Sequence, residues 1–547
     1  MVSDAPAAIA EQGKVVLIDM AYGLWPMLEY ELDIAKRELV AGNRVVLLTC
    51  QGDVTACEAN KLCGKTTMSK SRRRCVECVS RVDNGIAWLG PHADRVTVKS
   101  HRQLTLSQLS SIDKILAQLD LRLDAVAIAA CINIDGVDIF EAALSTLVSD
   151  IKVAKPDLVE HAVHFTFQIR TALENYYSSL NIIADTKPSQ VYLYNGRFSK
   201  YRPMLRVANR LGIRIKTHEY PYLGFERYVT IDGDYPHNIK NTGKQIRQVI
   251  ATSGAAEVEQ IRTGHDLLTE RVSGASQKEQ PMIPTFNYWQ TAGRLGTWNE
   301  RDHNIVFFVS SEHEYCAIKE VTATHPYDQI SAIQTILDNA RKSVLHVRIH
   351  PNLHGRDPHF FDRLNALHGH DRLSIIPAKS SIDTYTLMKM ADLVVSYGST
   401  TGIEAAYLGK PVITVGTSFY EEFAATATTY THAGLVRLLA SAEAGVYLGF
   451  PEVAERHSEA CKFWYAFVHF GQQPRYLSRQ SYFGGFMIDQ DDSKAIRPKR
   501  WIFGMNRLLD LPGKLAVGLR AMADPYKRNK VLSKPVETLI RKLMSIN

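Results

Sequence analysis

Three hydroxyl residues and two glycines crowd one short turn, Gly398-Ser-Thr-Thr-Gly402, between the apolar run Leu393–Ser396 and a helical pattern over Gly402–Leu408. The first turn of a helix leaves backbone N–H groups without partners and carries partial positive charge, which suits an anion. Ser399, Thr400 and Thr401 add hydroxyl donors, and Gly398 and Gly402 let a phosphate approach the backbone. Thr401 and Glu404 also fit a capping box, which needs no ligand. A plain cap uses one hydroxyl, so the surplus favours an anion site. Arg348-Ile-His-Pro-Asn352 ends a second strand. Side chains alternate along a strand, so Arg348 and His350 project the same way. Lys379, in Lys379-Ser-Ser381, ends a third strand and lines the same edge. Ser310-Ser-Glu-His-Glu-Tyr315 is either a loop of the same cleft or a solvated cap of the next helix.

The first half offers acid–base groups. Tyr194-Asn-Gly-Arg197 is a tight turn after a strand, and Glu219 ends the next strand; Arg197 and Glu219 either line one rim or pair with each other. A carboxylate that takes a proton from an acceptor hydroxyl has candidates in Glu29, Glu31, Asp53 and Glu219, of which Glu31 and Glu219 are singled out. No Asp-X-Asp stands at a strand end, so donor binding is expected to be metal-independent. Separately, Cys50, Cys57, Cys63, Cys75 and Cys78 fall within 29 positions, leaving only Cys131, Cys316 and Cys461 elsewhere. Cys75-Val-Glu-Cys78 has metal-knuckle spacing, Cys50 and Cys57 supply two more ligands, and Cys63 is spare. Nearby Lys65, Lys70 and Arg72–Arg74 favour thiolates. The expected occupant is structural, zinc or an iron–sulfur cluster; reduced thiols or a redox disulfide are the alternatives.

The elements that must position these groups are α/β. Val15–Asp19, Arg44–Thr49, Ala125–Ala130, Gln190–Tyr194 and Ile213–Thr217 read as strands, with helices over Leu28–Val40 and Pro203–Leu211. A second set follows: Ile305–Val309, Val344–Ile349, Leu373–Ile376, Leu393–Ser396 and Val412–Val415. The chain has 547 residues, too many for one ordinary core. The expected division is 1–274, an α/β domain with a cysteine-rich loop at 50–78; 275–300, a linker; 301–460, a second α/β domain; and 461–547, a helical basic segment. Two doubly wound Rossmann-type domains facing a cleft result.

Charge adds a partner class. Residues 494–547 hold 13 Lys/Arg against 3 Asp/Glu, an excess greater than the whole chain's +7. With Trp501 and Phe503 among them, they suit an anionic membrane surface, or a helix packing back on the domains. No nucleic-acid recognition motif accompanies them. No apolar run is long enough to span a membrane and the N-terminus lacks the pattern of a secretory signal. A cytoplasmic enzyme, peripheral at the inner membrane face, is expected.

The stretches Arg348-Ile-His-Pro351, Pro377-Ala-Lys-Ser-Ser-Ile-Asp-Thr-Tyr385 and Ser399-Thr-Thr-Gly-Ile-Glu-Ala405, with Leu408-Gly-Lys-Pro411, resemble bacterial capsule and surface-polysaccharide glycosyltransferases of the GT-B fold. The His-Pro and Ser-Thr pairs also resemble motifs of bacterial sialyl- and polysialyltransferases. The resemblance covers most of residues 300–425 and is looser before them. It implies that the domain 1–274 is the acceptor side and the domain 301–460 binds the nucleotide sugar. It implies also that His350 touches the donor phosphate or nucleotide, that Ser399 and Thr400 bind phosphate, and that Glu404 holds the donor ribose. It further implies transfer from a CMP-, UDP- or GDP-sugar to a surface glycan, with a lipid-linked acceptor. A CDP-glycerol-type phosphotransferase shares the His-Pro and Ser-Thr-Gly features, and a non-catalytic sugar-nucleotide-binding subunit is the third reading.

Overall fold

Short runs such as Val15–Asp19 and Val412–Val415 are apolar almost throughout because both faces of their sheets are covered. The structure is a computed structural model that describes residues 13–21, 26–57, 68–220, 227–273, 290, 298, 302–324, 328–479 and 486–488. The chain divides into a compact unit of residues 1–486, which holds both large sheets, and a unit of residues 487–547. The basic segment, Cys63 and most of the expected linker lie outside the described residues.

The first sheet contains β1 (Val15–Asp19), β2 (Arg44–Thr49), β3 (Val96–Ser100), β4 (Gln190–Tyr194), β5 (Arg214–Glu219) and β6 (Val229–Asp232), in the order β3-β2-β1-β4-β5-β6. All neighbours are parallel except β6, which is antiparallel to β5. The second sheet contains β7 (His303–Phe308), β8 (Ser343–Arg348), β9 (Leu373–Ile376), β10 (Leu393–Ser396), β11 (Val412–Val415) and β12 (Ala427–Thr429), in the order β12-β11-β10-β7-β8-β9, all parallel. Each sheet starts at its middle, grows one way, then reverses. The reversal falls between β1 and β4 in one sheet and between β7 and β10 in the other. Ligands of open α/β sheets bind outside the carboxyl ends of strands at such points. The α/β fold of two doubly wound sheets, as expected of a GT-B-like protein, is thereby established.

One expected strand is a helix. Ala125–Cys131 is α-helical, with Asp124 capping it by accepting from the Ala127 N–H at 2.9 Å. A short apolar run does not distinguish strand from helix by periodicity, and here the alanines and the Asp cap decide.

The helices Ile239–Thr252 and Glu257–Ser273 bury Ile246 and Leu268 in one core with Val306, Val394, Ala405 and Trp464. Although they precede the expected linker, they pack with the second sheet. Position 460 falls inside the helix Val453–His469, which lies against Glu257–Ser273. The two helices approach most closely at Gly264, where an added Cβ would sit 1.9 Å from the carbonyl oxygen of Cys461. Gly264→Ala must push the helices apart, and we expect it to cost about 1–3 kcal/mol. The fall in unfolding temperature of the variant measures this; an unchanged value would show that the crossing yields freely.

Candidate functional site

Register places the loops of the second sheet in a row. Ile376, Arg348, Phe308 and Ser396 are paired in sequence across β9, β8, β7 and β10. The segments that follow them, 377–380, 349–352, 309–311 and 397–400, therefore lie side by side at the carboxyl edge. His350, Lys379, Ser399 and Thr400 come from these segments, Arg348 ends β8 beside them, and Thr401, Gly402 and Glu404 belong to the helix Thr401–Tyr407.

Within that row the roles differ. Arg348 is buried and donates to the carbonyls of Pro377 (2.9 Å) and Ser380 (3.3 Å). Its guanidinium thus builds the turn that carries the exposed Lys379. His350 Nδ1 accepts from the Asn352 N–H at 3.1 Å and lies 3.3 Å from Ser311 Oγ. That contact leaves the ring proton on Nε2 and makes His350 a neutral donor. Burial and Arg348 push its pKa down to about 4.

The Ser399 turn is held from behind. The Ser399 carbonyl accepts from Ser396 Oγ (3.0 Å), Tyr420 Oη (2.9 Å) and the Gly402 N–H (3.1 Å). The helix begins at Thr401, and Thr400 at its N-cap makes no side-chain capping bond. The Thr401 N–H reaches Ser399 Oγ at 3.4 Å, and Thr401 Oγ1 is buried with no hydrogen-bond partner among the described residues. The expected Thr401–Glu404 capping box therefore does not form. Gly402 is also explained differently: it is buried, and a Cβ there would meet Tyr420 Oη at 2.3 Å and Ser396 Cβ at 3.0 Å. Its small size admits Tyr420, not a phosphate. The Glu404 carboxylate is buried and accepts from Arg271 Nε at 2.9 Å, with Tyr385 alongside. In this structure Glu404 ties its helix to Glu257–Ser273, and the ribose-holding role implied by resemblance has no open oxygen edge to start from.

The first sheet presents its own edge. Glu31, on the helix Met27–Val40, is fully buried. Its Oε1 accepts from the Ala21 N–H at 2.8 Å and lies 3.2 Å from His218 Nε2, while Oε2 has no partner among the described residues. Burial pushes its pKa up against the pull of His218 and Lys200. Glu219, also pushed up by burial, accepts from Asn195 Nδ2 and from the Tyr220 N–H. Asn195 and Gly196 adopt φ of 56° and 84°, the left-handed turn that Asn-Gly favours. Of the other two carboxylates, Glu29 pairs with Arg81, and Asp53 accepts from Ser100 Oγ at 3.2 Å. Sequence reasoning missed three partners here. Asp19 ends β1 and contacts His101, and Lys200 Nζ lies 3.6 Å from Asp19 while donating to the Met20 and Ala21 carbonyls at 2.8 Å each. A charged residue closing the apolar run Val15–Asp19 was the available signal.

Arg197 joins the two edges. Its backbone N–H donates to Asn195 Oδ1 at 3.1 Å, and the buried guanidinium donates through Nη1 to the Glu314 carbonyl of the second half. It does not form the alternative ion pair with Glu219 at hydrogen-bond range. Around this junction, His313 is buried and feels the positive charges of Lys152, Arg197 and Arg356 and the His350 ring, which with burial push its pKa down to about 3. His237 is pushed well down by burial, Arg197 and Lys152. Glu314 and Glu219 are the acidic groups that face Arg197. Lys152, His237 and Arg356 carried no motif in the sequence.

The cysteines do not assemble as expected. Cys50 Sγ accepts from the Gly52 N–H at 3.3 Å and lies 3.5 Å from Asp53 Oδ1. Cys75 and Cys78 are on the helix Met68–Ala87, with Cys75 packed against Gly52. None of Cys50, Cys57, Cys75 and Cys78 is in a disulfide, and no three of them form a metal-ligand group among the described residues. Cys75 and Cys78, three residues apart, share a face of that helix, and the missing step is the approach of further ligands to them.

The strand orders and the aligned loops define a protein of two doubly wound α/β sheets. Residues 323–433 match the model of the capsule polysaccharide biosynthesis protein family. No curated protein matches the chain. Among solved structures, Thermosulfurimonas dismutans KpsC β-Kdo 2,4 transferase is 15% identical, with 50% of this chain and 87% of that chain covered, at a TM-score of 0.33. The β-Kdo 2,7 transferase of the same organism is 12% identical, covering 52% and 88%, at 0.30. The UDP-GlcNAc 2-epimerase of Neisseria meningitidis, bound to UDP-GlcNAc, is 11% identical, covering 82% and 97%, at 0.25. No described helix is long and apolar enough to cross a membrane.

Two outcomes follow from these contacts. The unfolded-state pKa of histidine is about 6.5. The folded values of His313 and His350 are lower, so the stability they contribute is complete above that pH and is lost as pH falls toward about 4 and then about 3. Unfolding midpoints across this range should decline in acid, with a shallower decline in His313→Gln; identical profiles would remove His313 from the account. Arg271→Met strands the Glu404 carboxylate. The expected loss is about 2–3 kcal/mol, below the usual cost of breaking a buried pair because Arg271 is one-third exposed at 33%. Denaturant midpoints report it, and a loss within error would mean that Glu404 finds another partner.

Proposed function

We propose that the chain is a glycosyltransferase that moves a sugar from a nucleotide-activated donor to a surface or capsule glycan. The carrying observation is the junction of Lys152, Arg197 and Arg356 with the neutral imidazoles of His313 and His350, set where the two carboxyl edges meet. Positive charge gathered at a partly buried junction suits an anionic ligand, and the donor's phosphate is the anion this chemistry needs. The match of residues 323–433 to capsule polysaccharide biosynthesis proteins supports the same reading.

The residues divide the reaction as follows. The amides and hydroxyls of Ser399 and Thr400, with Nε2–H of His350, take the leaving phosphate, and Lys379 adds charge from the adjoining turn. Glu31, whose carboxyl burial makes more basic, accepts the proton of the acceptor hydroxyl. As the acceptor oxygen bonds to the anomeric carbon, the bond from that carbon to the phosphate oxygen breaks. The departing charge falls on N–H donors, so no donor-site metal enters. Glu219, Asn195 and Arg197 shape the acceptor rim. The acceptor is a lipid-linked glycan, and the basic segment 494–547 holds the enzyme at an anionic membrane surface; composition supports that assignment.

Thermal unfolding of the full chain with CMP, CDP, UDP and GDP tests the donor side. One nucleotide should stabilise by about 2.7 kcal/mol at a hundredfold excess over its Kd, and the gain should shrink in His350→Ala and Ser399→Ala. Stabilisation by none of the four contradicts the reading. Glu31→Gln should retain the nucleotide shift and lose turnover by about 100-fold or more; wild-type turnover would move the base elsewhere.

A further inference from the structure

A cluster outside the strand edges has the composition of a metal site. Where Glu257–Ser273 crosses Val453–His469, the missing side chain of Gly264 lets the backbone of Cys461 lie against it. The same close approach brings His265 of the first helix beside His457 and Cys461 of the second. His457 and Cys461 are four residues apart and so share one helix face. One ligand atom from each of the three residues lies within 4.8 Å of the other two. Cys461 is buried, His457 is partly buried and His265 is exposed, so the group opens to solvent on one side.

The hydrogen bonds around the rings select their outward nitrogens. His457 Nδ1 lies 2.9 Å from the Tyr407 carbonyl oxygen, an acceptor only, so Nδ1 carries the proton and Nε2 keeps its lone pair. His265 Nδ1 lies 3.2 Å from Tyr407 Oη, which is 2.8 Å from Thr269 Oγ1. In the tautomer whose Nδ1–H donates to Tyr407 Oη, which can pass its own proton to Thr269 or to the His265 carbonyl, His265 also presents Nε2. Metal-bound imidazoles are oriented in this way by an outer partner on the second nitrogen. The Tyr407 ring meanwhile stacks on His457 at 4.8 Å and fixes its plane.

We propose that His265, His457 and Cys461 bind one zinc ion through two imidazole nitrogens and one thiolate, with water in the fourth position on the exposed side. Two nitrogens and a sulfur are a zinc donor set, and calcium and magnesium require oxygen. Binding displaces the Cys461 thiol proton to solvent and adds a link between two helices that already meet through apolar contact and the Lys462–Glu257 ion pair. The site is separate from the cysteine-rich loop and from the carboxyl edges, so it stands or falls apart from the transferase reading.

Cobalt and zinc titrations of the metal-stripped full chain under reducing conditions test it. To exclude the loop, the parent protein carries Cys50→Ser, Cys57→Ser, Cys63→Ser, Cys75→Ser and Cys78→Ser together. That parent should bind one equivalent of cobalt with a near-ultraviolet thiolate-to-cobalt band that zinc abolishes. Adding His265→Ala, a change at an exposed side chain, should weaken binding on the order of 100-fold, and Tyr407→Phe about 10-fold. Zinc should raise the unfolding temperature of the parent and not that of His265→Ala, whose metal-free unfolding temperature should equal the parent's. Should the sextuple change of loop and site be needed because the parent unfolds, the wild-type chain gives the same answer through the cobalt signal lost in His265→Ala alone. Absence of the cobalt band, or equal affinity in His265→Ala, overturns the proposal and leaves the cluster a stacking contact only.

Discussion

The guanidinium of Arg197 leaves the turn after β4, crosses from the first sheet's edge and ends on the carbonyl of Glu314 beyond β7. A buried cation that spends a donor on a carbonyl needs further compensation, because burial of charge is costly. Glu219 and Glu314 supply part of it, and burial raises the pKa of both. Burial, with Lys152, Arg197 and Arg356, pushes the His313 pKa down, and burial with Arg348 does the same to His350. The anion site proposed at this junction is framed by the same contact that ties the edges together.

The strand orders explain why that junction lies where it does. Both sheets begin in their middle, so both have a reversal point, and both reversals open at carboxyl ends. The first contributes Asp19, Glu31, Asn195 and His218; the second contributes Ser311, His350 and Ser399. Acid–base groups stand on one side and neutral or cationic donors on the other. This division suits a reaction in which a hydroxyl loses a proton and a phosphate departs. The helix Val453–His469 and its partner Glu257–Ser273 then seal the second sheet from behind.

Most strands were legible because covered parallel sheets require unbroken apolar runs: Val15–Asp19, Arg44–Thr49, Gln190–Tyr194 and Leu393–Ser396 fall where the sequence places them. Ala125–Cys131 was not, since an apolar run of that length fits either element and the Asp124 cap carried the decision. In the candidate site, the motif-bearing loops lie side by side because the strand ends before them are in register. What each side chain does there was less legible. Glu404 reads as a ligand carboxylate, yet its partner Arg271 comes from 133 positions away. Gly402 reads as room for phosphate, yet Tyr420 fills that room. Such roles are set by tertiary neighbours that no local pattern encodes. The cysteine spacing gave ligand types and not their placement: Cys75 and Cys78 lie on one helix, and no three of the described loop cysteines come together.

The central claim is that an anion belongs at the junction of the two edges. A structure of the full chain with a bound CMP-, UDP- or GDP-sugar measures this most directly. The account predicts donor phosphate oxygens within hydrogen-bond reach of His350 and of the Ser399–Thr400 turn, on the side facing Lys152 and Arg356. A well-ordered nucleotide whose phosphates lie away from that junction, with His313 and His350 touching only protein, would contradict it.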